Sequence, residues 1–96
     1  DTVSARKEIA VAPGILAQYV GSYELKPGFD MAITLENDQL FSQATGQSKV
    51  PLFAETETRF FLKVVDAQIE FIRDDKGAVT HLMLDQGQAH IKAPKK

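Results

Sequence analysis

His81 and His90 are the side chains of this 96-residue chain best suited to acid–base chemistry or to metal binding. A metal needs at least three protein ligands converging on one side, and here the histidines flank a single hairpin centred on Asp85-Gln86-Gly87. If those three residues form the loop, His81 stands opposite Ile91 and the rings point to opposite faces. A two-residue loop at Asp85-Gln86 sets them side by side instead. Neither register supplies a third ligand, and with no cysteine there can be no thiolate site and no disulfide. Both histidines therefore read as ordinary strand residues, and neither a metal nor a cofactor is expected.

Nucleophilic chemistry fares no better. Ser4, Ser22, Ser42 and Ser48 lack a G-x-S-x-G elbow and have no histidine near in sequence. The carboxylates Glu55, Glu57, Glu70, Asp74, Asp75 and Asp85 fall at outward strand positions or in turns, where solvation accounts for them. Asp74-Asp75-Lys76-Gly77 has the opening of a calcium loop without its later ligands. No catalytic residue emerges, and the chain does not read as an enzyme in its own right.

Composition narrows the partners. A formal charge of −2 offers no field for nucleic acid or an anionic membrane, and no apolar run approaches the ~20 residues that span a bilayer. With 44% hydrophobic and 25% charged residues, residues 1–96 read as one globular domain. The start at Asp1-Thr2-Val3, without an initiator Met, suggests a mature product or a piece cut from something longer.

The elements that position these residues are strands. Met31, Ile33 and Leu35 alternate with Ala32, Thr34 and Glu36, and Ala67, Ile69 and Phe71 alternate with Gln68 and Glu70. Comparable stretches at residues 9–12, 19–25, 40–44, 48–53, 59–65, 79–84 and 89–93 bring the total to about eight or nine strands. Lys26-Pro27-Gly28, Asn37-Asp38, Thr45-Gly46-Gln47, Asp74 to Gly77 and Val65-Asp66-Ala67 supply the reversals. Links this short predict an all-β, small antiparallel up-and-down meander, and a meander without exposed edges must close into a barrel. One helical turn is expected near residues 13–18, with Ile15 and Leu16 plugging an end.

The interior should be filled by Phe60, Leu62, Ile69, Phe71, Val79 and Met83. Tyr19, Gly21 and Tyr23 form a motif in which another element, such as the helical turn, crosses the glycine closely. The tyrosines should bury their rings and direct their hydroxyls to partners. Phe60 and Phe61 cannot both point inward on a regular strand, and 64–65 and 82–84 are apolar on both faces. Phe60, Phe61, Val65, Leu82 and Leu84 are accordingly the candidate interface or rim residues, with Gly46 and Gly77 as structural turn positions.

These pieces in order resemble a family. Leu16 to Leu25 (L-x-x-Y-V-G-x-Y-E-L), Pro27-Gly28, Ile33-Thr34-Leu35, Leu40-Phe41, Thr45-Gly46-Gln47 and Pro51-Leu52-Phe53 are followed by Glu57 to Phe61, Asp66 to Phe71, Asp75 to Thr80, Leu82 to Leu84 and Gln86-Gly87. Together they look like the C-terminal lipocalin-like domain that follows β-lactamase-like serine hydrolases and peptidases of the penicillin-binding-protein type. The resemblance implies a barrel of about eight strands without catalytic residues. It further implies periplasmic or exported placement, an attached or neighbouring catalytic hydrolase domain, and a role in homo-oligomerisation or in shaping access to the partner active site. The alternative, a small barrel binding a lipophilic ligand, requires an internal void that the bulky inward residues oppose.

Overall fold

Among residues 9–63 and 67–96, which the computed structural model describes, alternation of side chains produces nine antiparallel strands. They are β1 (Gly21–Lys26), β2 (Phe29–Glu36), β3 (Gln39–Ala44), β4 (Val50–Pro51), β5 (Phe53–Ala54), β6 (Arg59–Phe61), β7 (Ala67–Arg73), β8 (Val79–Gln86) and β9 (Ala89–Pro94). The single turn of α1 (Pro13–Leu16) starts with proline, whose missing N–H costs nothing there, and runs into a 3-10 turn at Ala17–Tyr19. Residues 9–12 are not a strand, a correction to the alternation reading. Ile9 donates one backbone bond to Ala54 O at 2.8 Å, and Pro13 then diverts the chain.

Local chemistry sets the hairpins. Asn37 and Asp38 both adopt positive φ (50° and 64°), the pair of left-handed residues that a type I′ turn demands and that these two types tolerate. In the β7–β8 connection, Asp74 Oδ1 accepts from the amides of Lys76 (2.8 Å) and Ala78 (3.0 Å), and Gly77 takes φ 86°. The β8–β9 loop is Gly87-Gln88, between the paired residues Gln86 and Ala89, and not Asp85-Gln86-Gly87. Glycine at the first central position with φ 61° suits the type II′ turn that matches strand twist.

The meander forms two sheets, β1-β2-β3-β4 and β5-β6-β7-β8-β9. At one seam the chain changes sheet at Leu52: Val50 and Pro51 pair with β3, whereas Phe53 and Ala54 pair with β6. Pro51 has no N–H to extend the ladder, which keeps β4 short. At the other seam only Tyr23 bridges Lys95, aided by Lys96 N donating to Ser22 O at 2.8 Å. The two sheets therefore wrap one core without the continuous closed ladder of a barrel.

One irregularity decides which residues face that core. Ile72 pairs with His81 but Arg73 pairs with Val79, leaving Thr80 as an extra residue in β8. The bulge flips the alternation, so Val79 packs against the core, then Leu82 and Leu84 point inward while Met83 lies on the outer face. The expectation that Met83 fills the interior is thereby corrected.

Candidate functional site

The two ends of the sandwich differ. Toward the α1 end the interior is packed with aromatic rings. Tyr19 stacks on Phe71 (centroids 4.2 Å apart, planes 7° apart), and Phe60 meets both edge-on at 5.8 and 5.6 Å. Tyr23 donates to Tyr19 O at 2.8 Å, while Tyr19 donates to Glu57 O at 2.6 Å and accepts from Arg73 Nη2 at 2.8 Å. Burial, reinforced by Tyr19, pushes the Tyr23 phenol well above its ordinary range. Each tyrosine ring is buried and its hydroxyl is hydrogen-bonded.

Gly21 belongs to the same end. A Cβ there would stand 2.8 Å from Lys95 Cε, and its φ of 153° is one that residues with side chains rarely adopt. The element crossing it is the C-terminal Lys95 side chain, whose Nζ reaches Gln18 O at 3.4 Å, and not the helical turn. Gly46 and Gly77 lie in hairpin connections with φ of 77° and 86°.

The opposite end is open. Inward side chains shrink toward it: Phe71, Ile69, Ala67 along β7, and Leu40, Ser42, Ala44 along β3. The result is a cleft of about 390 Å³ between the sheets, walled by Leu25, Met31, Leu62, Leu84 and Ile91. At its mouth lie Phe29 and Lys26, with the Lys26 ammonium 5.5 Å from the phenyl centroid. The interior is therefore filled by side chains only as far as the aromatic cluster. A second recess of about 300 Å³ at the α1 end runs from the segment Ile9 to Val11, Asp38 and Gln39 down to Leu16, Leu40, Leu52 and Phe60. Residue types alone did not point to the open cleft. The signal available was the run of small residues at alternate positions, Ser42, Ala44 and Ala67.

The titratable residues do not assemble into a reaction centre. His81 and His90 share the outer face of the β8–β9 hairpin, but His81 stands opposite Pro94 and His90 opposite Asp85, about 13 Å apart along the strands. Among the described residues no three His, Asp or Glu side chains converge as a metal site. His81 Nδ1 meets the Thr80 hydroxyl at 2.8 Å, at the bulge, with that hydroxyl also donating to Ile72 O. Partial burial and then the Lys92 charge hold His81 below its usual range. His90 Nδ1 lies 2.5 Å from Asp85 Oδ1.

That Asp85 joins a network on the outer face of the five-stranded sheet. Arg59 reaches Glu70 at 3.2 Å and Glu55 and Asp85 at 3.6 Å each, and bonds Gln68. Partly exposed pairs of this kind contribute about 0–1 kcal/mol apiece and serve mainly to give the sheet a polar outer wall.

The side chains expected to form an interface are in fact interior. Phe60 (1% exposed), Leu82 (0%) and Leu84 (8%) are core residues. Phe61 is 2% exposed on the other face of β6, against Phe53 at 6.0 Å, and Lys63 Nζ lies 4.0 Å over the Phe53 ring. Both phenylalanines are thus buried without a partner chain, each by a different side of its strand. Val65 lies outside the described residues. Among the described residues the exposed large hydrophobic side chains are Ile9 and Val20, at 39% each. No helix of these residues is long and apolar enough to cross a membrane.

The chain is 34% identical over 82 residues to "Penicillin-binding protein 4*" of Bacillus subtilis (strain 168). The match covers 85% of this chain but 18% of that relative, so the chain spans under a fifth of its relative's length. Residues 5–93 match the family described as a domain of unknown function, DUF3471. A match of that extent, over an all-β antiparallel fold, shows that the chain belongs to the DUF3471 family.

Proposed function

We propose that this domain is a non-catalytic accessory module of an exported serine hydrolase or peptidase, packing beside the catalytic domain or a second copy and shaping access to the active site. The observation that carries this reading is the 18% share of the penicillin-binding relative that the chain matches, which leaves ample length there for a catalytic unit. The scattered titratable groups of the domain are consistent with chemistry supplied elsewhere. With its apolar side chains turned inward, docking would use the polar wall around Arg59, in keeping with the polar character of inter-domain interfaces.

The test is deletion of the domain from its parent enzyme. Light scattering and turnover of a small and a bulky ester are then compared with the full-length protein. The particle mass or the bulky-to-small ratio should change while small-ester turnover is retained. An unchanged mass together with an unchanged ratio, or loss of small-ester turnover by a folded catalytic domain, would reject the reading.

A further inference from the structure

The cleft opposite α1 is shaped like a site for one ligand class. Its volume of about 390 Å³ lies within the range of small-molecule pockets, and both sheets contribute apolar walls. Ser42 and Ala44 on β3 and Ala67 on β7 keep it open, at positions where larger side chains would continue the packing seen around Phe71. A sealed 150 Å³ cavity accommodates benzene, so this open cleft has room for an alkyl chain of about ten carbons.

The polar groups are confined to particular places. Among the described residues Lys26 is the only ionisable side chain lining the cleft, and it stands at the mouth over Phe29. Among the described residues no carboxylate lies within ion-pair distance of it, unlike Lys49 and Lys96, which pair with Glu36 and Asp30. Gln47 and Gln86 add amide donors to the lining, and Ser42 adds a hydroxyl. An apolar slot with one cation and several donors complements an anionic head on a single alkyl chain. A cationic head would face Lys26 at close range, and a neutral head would leave its charge unmatched.

From this arrangement we infer that the open end of the domain binds a free medium-chain alkyl carboxylate, its tail between Ala44, Ala67 and Leu84 and its carboxylate at Lys26. This inference does not rest on the accessory role, since it concerns the chain alone.

Amide NMR titrations of the 96-residue chain with decanoate, decanol and decyltrimethylammonium, all below micelle formation, test it directly. Decanoate should give saturable shifts at Ser42, Ala44, Ala67 and Leu84, leaving Tyr19 and Phe60 still, with a Kd on the order of 10–100 µM. Decanol should bind more weakly, and the ammonium compound weakest. Lys26→Glu, a change on an exposed turn flank, should weaken decanoate about tenfold or more and leave decanol within about twofold. Ala44→Phe should abolish binding of both; if that variant does not fold, Lys26→Glu keeps the test intact. Absence of saturable shifts to ~1 mM, shifts centred on Tyr19, or decyltrimethylammonium binding as tightly as decanoate would overturn the inference. Binding to phosphatidylglycerol vesicles without binding to free decanoate would overturn it too.

Discussion

Phe71→Ala is expected to remove about 3–5 kcal/mol of stability, the range for truncating a fully buried aromatic residue. Phe71 is 1% exposed and stands among Tyr19, Tyr23 and Phe60 at centroid distances of 4.2, 5.8 and 5.6 Å. Removing its ring leaves the stacked face of Tyr19 without a partner and opens a void that fixed strands on both sides cannot collapse. A domain of this size has about 5–15 kcal/mol in total, so the variant should sit near the edge of folding. Phe41→Ala, on the outer face beneath Lys49, provides the control and should cost about 1 kcal/mol. Urea unfolding followed by circular dichroism measures both. Equal midpoints for the two variants would show that the aromatic cluster does not hold the fold together.

The second large effect separates adjacent residues. Leu82→Gln should cost about 3–5 kcal/mol, from lost apolar burial and an amide with no partner inside the core. Met83→Gln should cost under about 1 kcal/mol, because its side chain lies on the outer face between Glu70 and Lys92. The contrast exists only because Thr80 bulges out of β8. Were Met83 the inward residue, as unbroken alternation from Val79 requires, the order of the two midpoints would reverse.

Most turns and strands were legible because they are local. The left-handed pair Asn37-Asp38, the proline at the start of α1 and the Asp74 to Gly77 bulge are dictated by residues within a few positions. What could not be read depends on partners distant in sequence. The bulge at Thr80 is a property of how β7 and β8 register, and nothing in Val79 to Leu84 alone marks it. The same limit applies to the hairpin at Gly87-Gln88, where a register shift of three residues against the Asp85-Gln86-Gly87 loop moves His90 from opposite Leu82 to opposite Asp85. Phe61 shows the gap most plainly. Two-sided apolarity looked like a surface for another protein, whereas Phe53 across the β5–β6 ladder packs against it within the chain.

The open cleft was missed for a related reason. The bulky inward residues imply an interior full throughout, but Phe60, Phe71 and Tyr19 gather at one end. The small residues Ser42, Ala44 and Ala67 gather at the other, and only the register of the sheets reveals that they face one another. The domain is thereby asymmetric: aromatic rings pack where α1 meets the sheets, and small residues line the cleft where Lys26 stands.

Thiol reactivity tests that asymmetry most directly, since the native chain has no cysteine to interfere. Ala44→Cys places a thiol in the cleft, and Ala93→Cys places one in the fully buried centre on β9. With a small neutral reagent the Ala44→Cys thiol should react readily in the folded protein. The Ala93→Cys thiol should react about 1000-fold more slowly, waiting on opening of the core. Comparable rates at the two sites would contradict a packed centre beside an accessible cleft.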